Sequence, residues 1–123
     1  MTMETPDYDG RIFRPVGNPP GAPTGRYHQN GKLIWADFGG GKLYFGRLVG
    51  TCDATGTITA TYCQLGTDGS VTAGQVTSVP ELDETGTLTL TEHWHRLDGS
   101  TGISVIEEVA PALAPPPPES LTG

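Results

Sequence analysis

Short runs of alternating apolar and polar residues, each cut off by turn residues, constrain this chain more than any other feature. No helical period longer than two turns occurs anywhere. Thr57-Ile58-Thr59-Ala60-Thr61-Tyr62 and Thr87-Leu88-Thr89-Leu90-Thr91 alternate strictly, which suits a sheet with one buried and one wetted face. Their β-branched side chains fit a pleated surface better than a helix. Turn chemistry separates the runs. Asn30-Gly31 is a strong hairpin signal, because both residues tolerate the positive φ of a type I′ turn. Gly39-Gly40-Gly41, Asp53-Ala54-Thr55-Gly56, Thr67-Asp68-Gly69, Asp83-Glu84-Thr85-Gly86 and Asp98-Gly99 follow at strand-plus-turn intervals. Strands are predicted near 11–16, 25–30, 32–38, 42–50, 56–64, 70–78, 86–96 and 102–109. The fold class is therefore all-β: about eight strands in an antiparallel up-and-down meander. Closing it into a small barrel removes the exposed edges. The recurring Gly-x-apolar strand starts record this meander and match no longer repeat unit. Between 32–38 and 42–50 the register is open, because the triple glycine allows more than one loop length.

A length of 123 residues suits one domain. Residues 1–9 and 111–123 read as a flexible N-terminal tail and a Pro-rich disordered C-terminal tail flanking a barrel domain at 10–110. The second tail contains Pro115-Pro116-Pro117-Pro118, which can donate no backbone hydrogen bond. A net charge of −7 argues against nucleic acid, whose phosphates need Lys and Arg, and against an anionic membrane. No run approaches the length of a membrane span, and the acidic start lacks signal-peptide character, so a cytoplasmic protein is expected. On the hairpin geometry Cys52 lies beside a turn and Cys63 about seven residues along, too far for a disulfide; two free thiols are expected.

Alternation also nominates a site. On 86–96 the face of Leu88 and Leu90 continues into Glu92 and Trp94, and on 56–64 the buried face reads Ile58, Ala60, Tyr62. On 70–78 it reads Val71, Ala73, Gln75. Turns near 67–68 and 82–83 then set Tyr62 and Glu92 on either side of Ala73, roughly 10 Å apart. Small Ala60 and Ala73 beneath Tyr62 and Trp94 leave room for a cavity. An inward carboxylate is costly unless paired, and its pKa is raised toward a value useful for proton transfer. Candidate partners are Arg47 and the hydroxyls of Tyr44 and Tyr62. Of the pair Glu107-Glu108, an inward Val105 leaves Glu107 as a second interior acid. Trp35 either lines the cup or covers Gly46 across the hairpin. His93 and His95, with His28 as a third ligand, invite a metal, but their face continues from Thr87, Thr89 and Thr91; no metal is expected. Gly39-Gly40-Gly41 has no following helix and no phosphate-loop sequence.

Tyr27-His28-Gln29, Ile34-Trp35-Ala36-Asp37-Phe38, Gly46-x-Leu48-x-Gly50, Glu92-x-Trp94 and Ile106-Glu107-Glu108 resemble short single-domain bacterial proteins often labelled "N-acetylglutamate synthase". The resemblance spans about residues 10–109 and brings no catalytic residues. Acetyl transfer is not expected, since no helix N-terminus or basic site is available for a pyrophosphate. The Gly-x-Thr-x-Thr meander is also similar to avidin-like and lipocalin-like (calycin) barrels, which implies small-molecule binding in the barrel mouth. Three functions follow. The first is a small-molecule-binding β-barrel of bacterial metabolism, taking a small apolar or aromatic ligand. Trp94, Tyr62, Tyr44 and Trp35 form its walls, Glu92 or Gln75 orients the ligand, and Tyr27 and Glu107 add contacts. The second is a cofactor-independent cyclase or isomerase of specialised metabolism, with Glu92 as general acid or base and Tyr62 or Arg47 stabilising charge. The third is a structural or interaction module with a filled barrel. No cofactor is expected, and a homodimer is left open.

Overall fold

Two Gly-Lys turns set the register of the first three long strands. In the computed structural model, which describes residues 4–110, Asn30 pairs with Leu33 and Gly40 with Leu43. Gly31-Lys32 and Gly41-Lys42 are thus the two-residue loops. Gly31 and Gly41 have φ of 61° and 59°, while neither lysine has a positive φ. That is the type II′ pattern, which places glycine first, and it replaces the expected type I′ turn at Asn30-Gly31.

The strands are β1 (Ile12–Pro15), β2 (Thr24–Asn30), β3 (Leu33–Gly40), β4 (Leu43–Cys52), β5 (Ile58–Gly66), β6 (Val71–Leu82), β7 (Leu88–Arg96) and β8 (Thr101–Val109). Each pairs antiparallel with the next. β1 closes on β8 from Ile12↔Val109 to Pro15↔Ile106, giving an eight-stranded up-and-down barrel with no free edge. The all-β meander read from the sequence is what forms.

The four hairpins from β4 to β8 are tied by aspartates. Asp53 Oδ1 accepts from the amides of Thr55 and Thr57 and from the Thr55 hydroxyl. Asp83 does the same with Thr85 and Thr87. Asp68 and Asp98 each accept from the amide of the serine two residues on. These bonds to the ionised form hold all four carboxyls below the ordinary range. The matching turns correct one expectation. Asp53–Ser70 and Asp83–Ser100 are two copies of one 18-residue unit, Asp-x-Thr-Gly-Thr at its start and Asp-Gly-Ser at its end.

Half of the barrel is packed solid. Tyr8, Phe13, Tyr27, Ile34, Ile58 and Leu90 are fully buried. The Phe13 and Tyr27 rings meet edge to face at 5.2 Å, and Tyr27 meets Phe38 likewise at 5.9 Å. Tyr8, expected in a loose tail, is fully buried; its hydroxyl donates to the Gly56 carbonyl, and its amide donates to Gln29 Oε1. The segment around it packs into the barrel. The polyproline segment lies outside the described residues. Cys52 is buried opposite Ile58 and Cys63 is exposed opposite Arg47, so the two thiols stand apart and free. No helix of the described residues is long and apolar enough to cross a membrane.

Candidate functional site

The other half of the barrel is hollow. A cavity of about 230 Å³ opens there, walled by Phe13, Phe38, Leu48, Tyr62, Val76 and Trp94. Glu92, Gln64, Ser104 and Arg96 supply its polar groups. Period-2 alternation builds the wall. The inward positions of β5 are Ile58, Ala60, Tyr62 and Gln64, and those of β7 are Leu88, Leu90, Glu92, Trp94 and Arg96.

The inner rows differ from expectation. Tyr62 stands opposite Gly74, and Gly74 opposite Arg96, so the line from Tyr62 across β6 ends on a guanidinium. Glu92 belongs to the row Ile58, Ser78, Glu92, Ser104. The displacement arises because β6 runs to Leu82 and its turn spans 83–86, beyond the predicted position. Tyr62, Glu92 and Trp94 nevertheless line one cavity.

Chemistry concentrates around Glu92 and Trp94. The Glu92 carboxyl is half-buried, and burial alone pushes it up to about 7. The Trp94 indole N–H donates to Ser104 Oγ at 3.0 Å, and the Arg96 guanidinium lies 4.5 Å over the same ring. Three buried polar atoms have no partner among the described residues: Tyr27 Oη, Ser78 Oγ and Arg96 Nε. Tyr27 titrates well above its ordinary range, first through burial and then through the Glu92 and Tyr8 charges.

Residues 6–109 match the family model described as avidin-like protein. The chain belongs to the avidin-like family. No curated protein and no solved structure matches it.

Several sequence-nominated residues lie outside the cup of this avidin-like barrel. Arg47 is exposed on the outer wall, where its Nε donates to Asp37 Oδ1 at 2.9 Å. The inward residues of β4 are Gly46, Leu48, Gly50 and Cys52, so glycines conceal the alternation while Phe45 and Val49 face out. Gln75 is exposed and Gly74, Val76 and Ser78 point inward, again because small inner residues disguise the buried face. Ala73 is correspondingly off the inner face. Trp35 stacks on His28 outside the barrel, centroids 5.3 Å apart at 17°, and pairs with Val49; it covers neither Gly46 nor the cup. Tyr44 is exposed. Val105 is exposed and Ile106 buried, reversing the parity assumed for Glu107. That carboxylate pairs with Arg14 at 3.5 Å and does not line the cavity. Tyr27 sits in the packed half rather than on the cavity wall. His93 and His95 are exposed, and no cluster of metal-binding side chains occurs among the described residues.

Arg96 and Gln64 were missed, although the signal existed. Each simply extends its strand's inner parity by one more step, from Trp94 to Arg96 and from Tyr62 to Gln64.

Proposed function

We propose that this avidin-like barrel binds a small, largely apolar molecule in its aromatic-lined cup, with Glu92 offering a carboxyl from the cavity wall. The carrying observation is the cavity of about 230 Å³, framed by Phe38, Tyr62 and Trp94 and reached from one end of the barrel. A barrel filled by its own side chains, as a purely structural module requires, is at odds with that space. Cups of this kind are apolar with a few placed polar groups, and that is the composition of the wall.

The test is titration of Trp94 emission in a Trp35→Phe background against a library of aromatic and alicyclic compounds, paired with thermal shift. Saturable quenching with a raised melting temperature supports the reading. A library that leaves both signals unchanged overturns it.

The raised Glu92 pKa favours a second reading, a cofactor-independent cyclase or isomerase using this carboxyl as general acid or base. Tyr62 faces the same cavity and Arg47 does not, so the charge-stabilising cation in such a reaction would be Arg96. Turnover that survives Glu92→Gln unchanged removes Glu92 from that role.

A further inference from the structure

Arg14 and Arg96 are two of only seven Lys and Arg residues in a chain of net charge −7, and both belong to strands that wall the cavity. Their circumstances differ. Arg14 is engaged with Glu107 at outward positions of β1 and β8, whereas Arg96, on the inward parity of β7, has no ion-pair partner among the described residues. The nearby acid Asp98 feels the Arg96 charge but forms no ion pair with it, and its Oδ1 accepts from the amide and hydroxyl of Ser100. Glu92 lies four residues back on the same strand, a backbone rise of about 13 Å, and forms no ion pair with Arg96. The Arg96 guanidinium is held over the Trp94 ring at 4.5 Å, and its Nε is buried without an acceptor.

A cation that is stacked in place and keeps an unused buried donor is poised to take an acceptor from outside the chain, since leaving that donor unpaired is costly. The planar guanidinium fork matches a carboxylate. Below it the wall is apolar, through Tyr62, Leu48, Phe38 and Trp94.

We propose that the cup takes an organic monoanion with an apolar body, its carboxylate anchored by Arg96 at the mouth and its body lying along Tyr62 and Trp94. This rests on the cup-binding reading above and adds the charge and orientation of the ligand. One unpaired guanidinium matches one negative charge.

The experiment compares isosteric acids and amides, 4-phenylbutyrate with 4-phenylbutyramide and 2-naphthylacetate with its amide, by calorimetry on the full chain. In the wild type the acids bind about tenfold or more tighter than the amides. Arg96→Gln abolishes that preference and Arg96→Lys restores part of it, while Arg14→Gln leaves most of it. Equal binding of acid and amide overturns the anion inference and leaves the cup reading standing. An acid preference that persists undiminished in Arg96→Gln also overturns it. If neither member of either pair binds, the cup reading falls and takes the inference with it. Should Arg96→Gln not fold, the wild-type comparison together with Arg96→Lys decides.

Discussion

The Trp94 indole lies flat against Gly102, its register partner on β8, filling the place where a side chain would stand. A Cβ on Gly102 would fall among the six-membered-ring carbons of the indole. The ring is therefore laid along the barrel wall instead of reaching across the lumen. One face turns to Arg96 and the indole N–H is fixed by Ser104. The cavity owes its openness to this arrangement, since a Trp94 displaced from the wall would swing into the space beside Tyr62 and Glu92.

Gly102→Ala should accordingly act on the cavity from the strand opposite. The added methyl displaces the indole and breaks the Ser104 bond, costing about 1–3 kcal/mol as overpacking. Urea denaturation should show the loss, and Trp94 emission in a Trp35→Phe background should shift. Unchanged stability with unchanged emission would show that the indole does not rest on Gly102.

The sequence reveals the barrel where inner and outer residues contrast in polarity and hides it where they do not. On β5 and β7 threonines mark the outside and Ile58, Leu88 and Leu90 the inside, so Glu92 and Trp94 could be placed by counting in twos. On β4 and β6 the inner face includes Gly46, Gly50, Gly74 and Ser78 beside Leu48 and Val76, while Phe45 and Val49 face out. Polarity contrast there is weak, and Arg47 and Gln75 read as inward for that reason. The duplicated unit offered a safeguard. Asp53–Ser70 and Asp83–Ser100 agree at nine of 18 positions, and they place Tyr62 and Glu92 at equivalent sites. Equivalent sites on equivalent hairpins share a face, so the inward acid is implied by the inward tyrosine. Nothing comparable announces Arg96 except its parity.

Two buried tyrosines should respond oppositely to loss of the hydroxyl. Tyr8 Oη donates to the Gly56 carbonyl, and Tyr8→Phe should cost about 1–2 kcal/mol by leaving that bond unmade. Tyr27 Oη is buried with no partner among the described residues, so Tyr27→Phe should be neutral or stabilising by about 1 kcal/mol. Thermal melts of the two variants side by side provide the check. A large loss in Tyr27→Phe would reveal a hydrogen bond to that hydroxyl in solution.

Arg47 offers a contrast with the residues of the cup. Its pair with Asp37 is on the outer wall and exposed to solvent, where such pairs contribute about 0–1 kcal/mol. Arg47→Ala should lower stability by no more than that and leave ligand affinity at the wild-type value. A large fall in affinity would place the cup's contacts on the outer wall instead.

Glu92 should leave its mark on the pH dependence of stability. Its carboxyl is raised from an ordinary 4.5 to about 7 by burial. Below about pH 4.5 it is protonated in folded and unfolded chains alike and has no differential effect. Between there and pH 7 the unfolded chain ionises it freely while the folded barrel resists, so stability falls as pH rises, by about 3 kcal/mol at most. The four turn aspartates run the other way: their carboxyls are lowered, so their support is lost as pH falls below about 4. The two windows are separate, and the range from about pH 5 to pH 8 isolates Glu92. Glu92→Gln, which keeps the shape without the titration, should flatten the urea midpoint across that range and raise it most at pH 8. Parallel profiles for wild type and variant would mean that the acid is solvated in the folded chain.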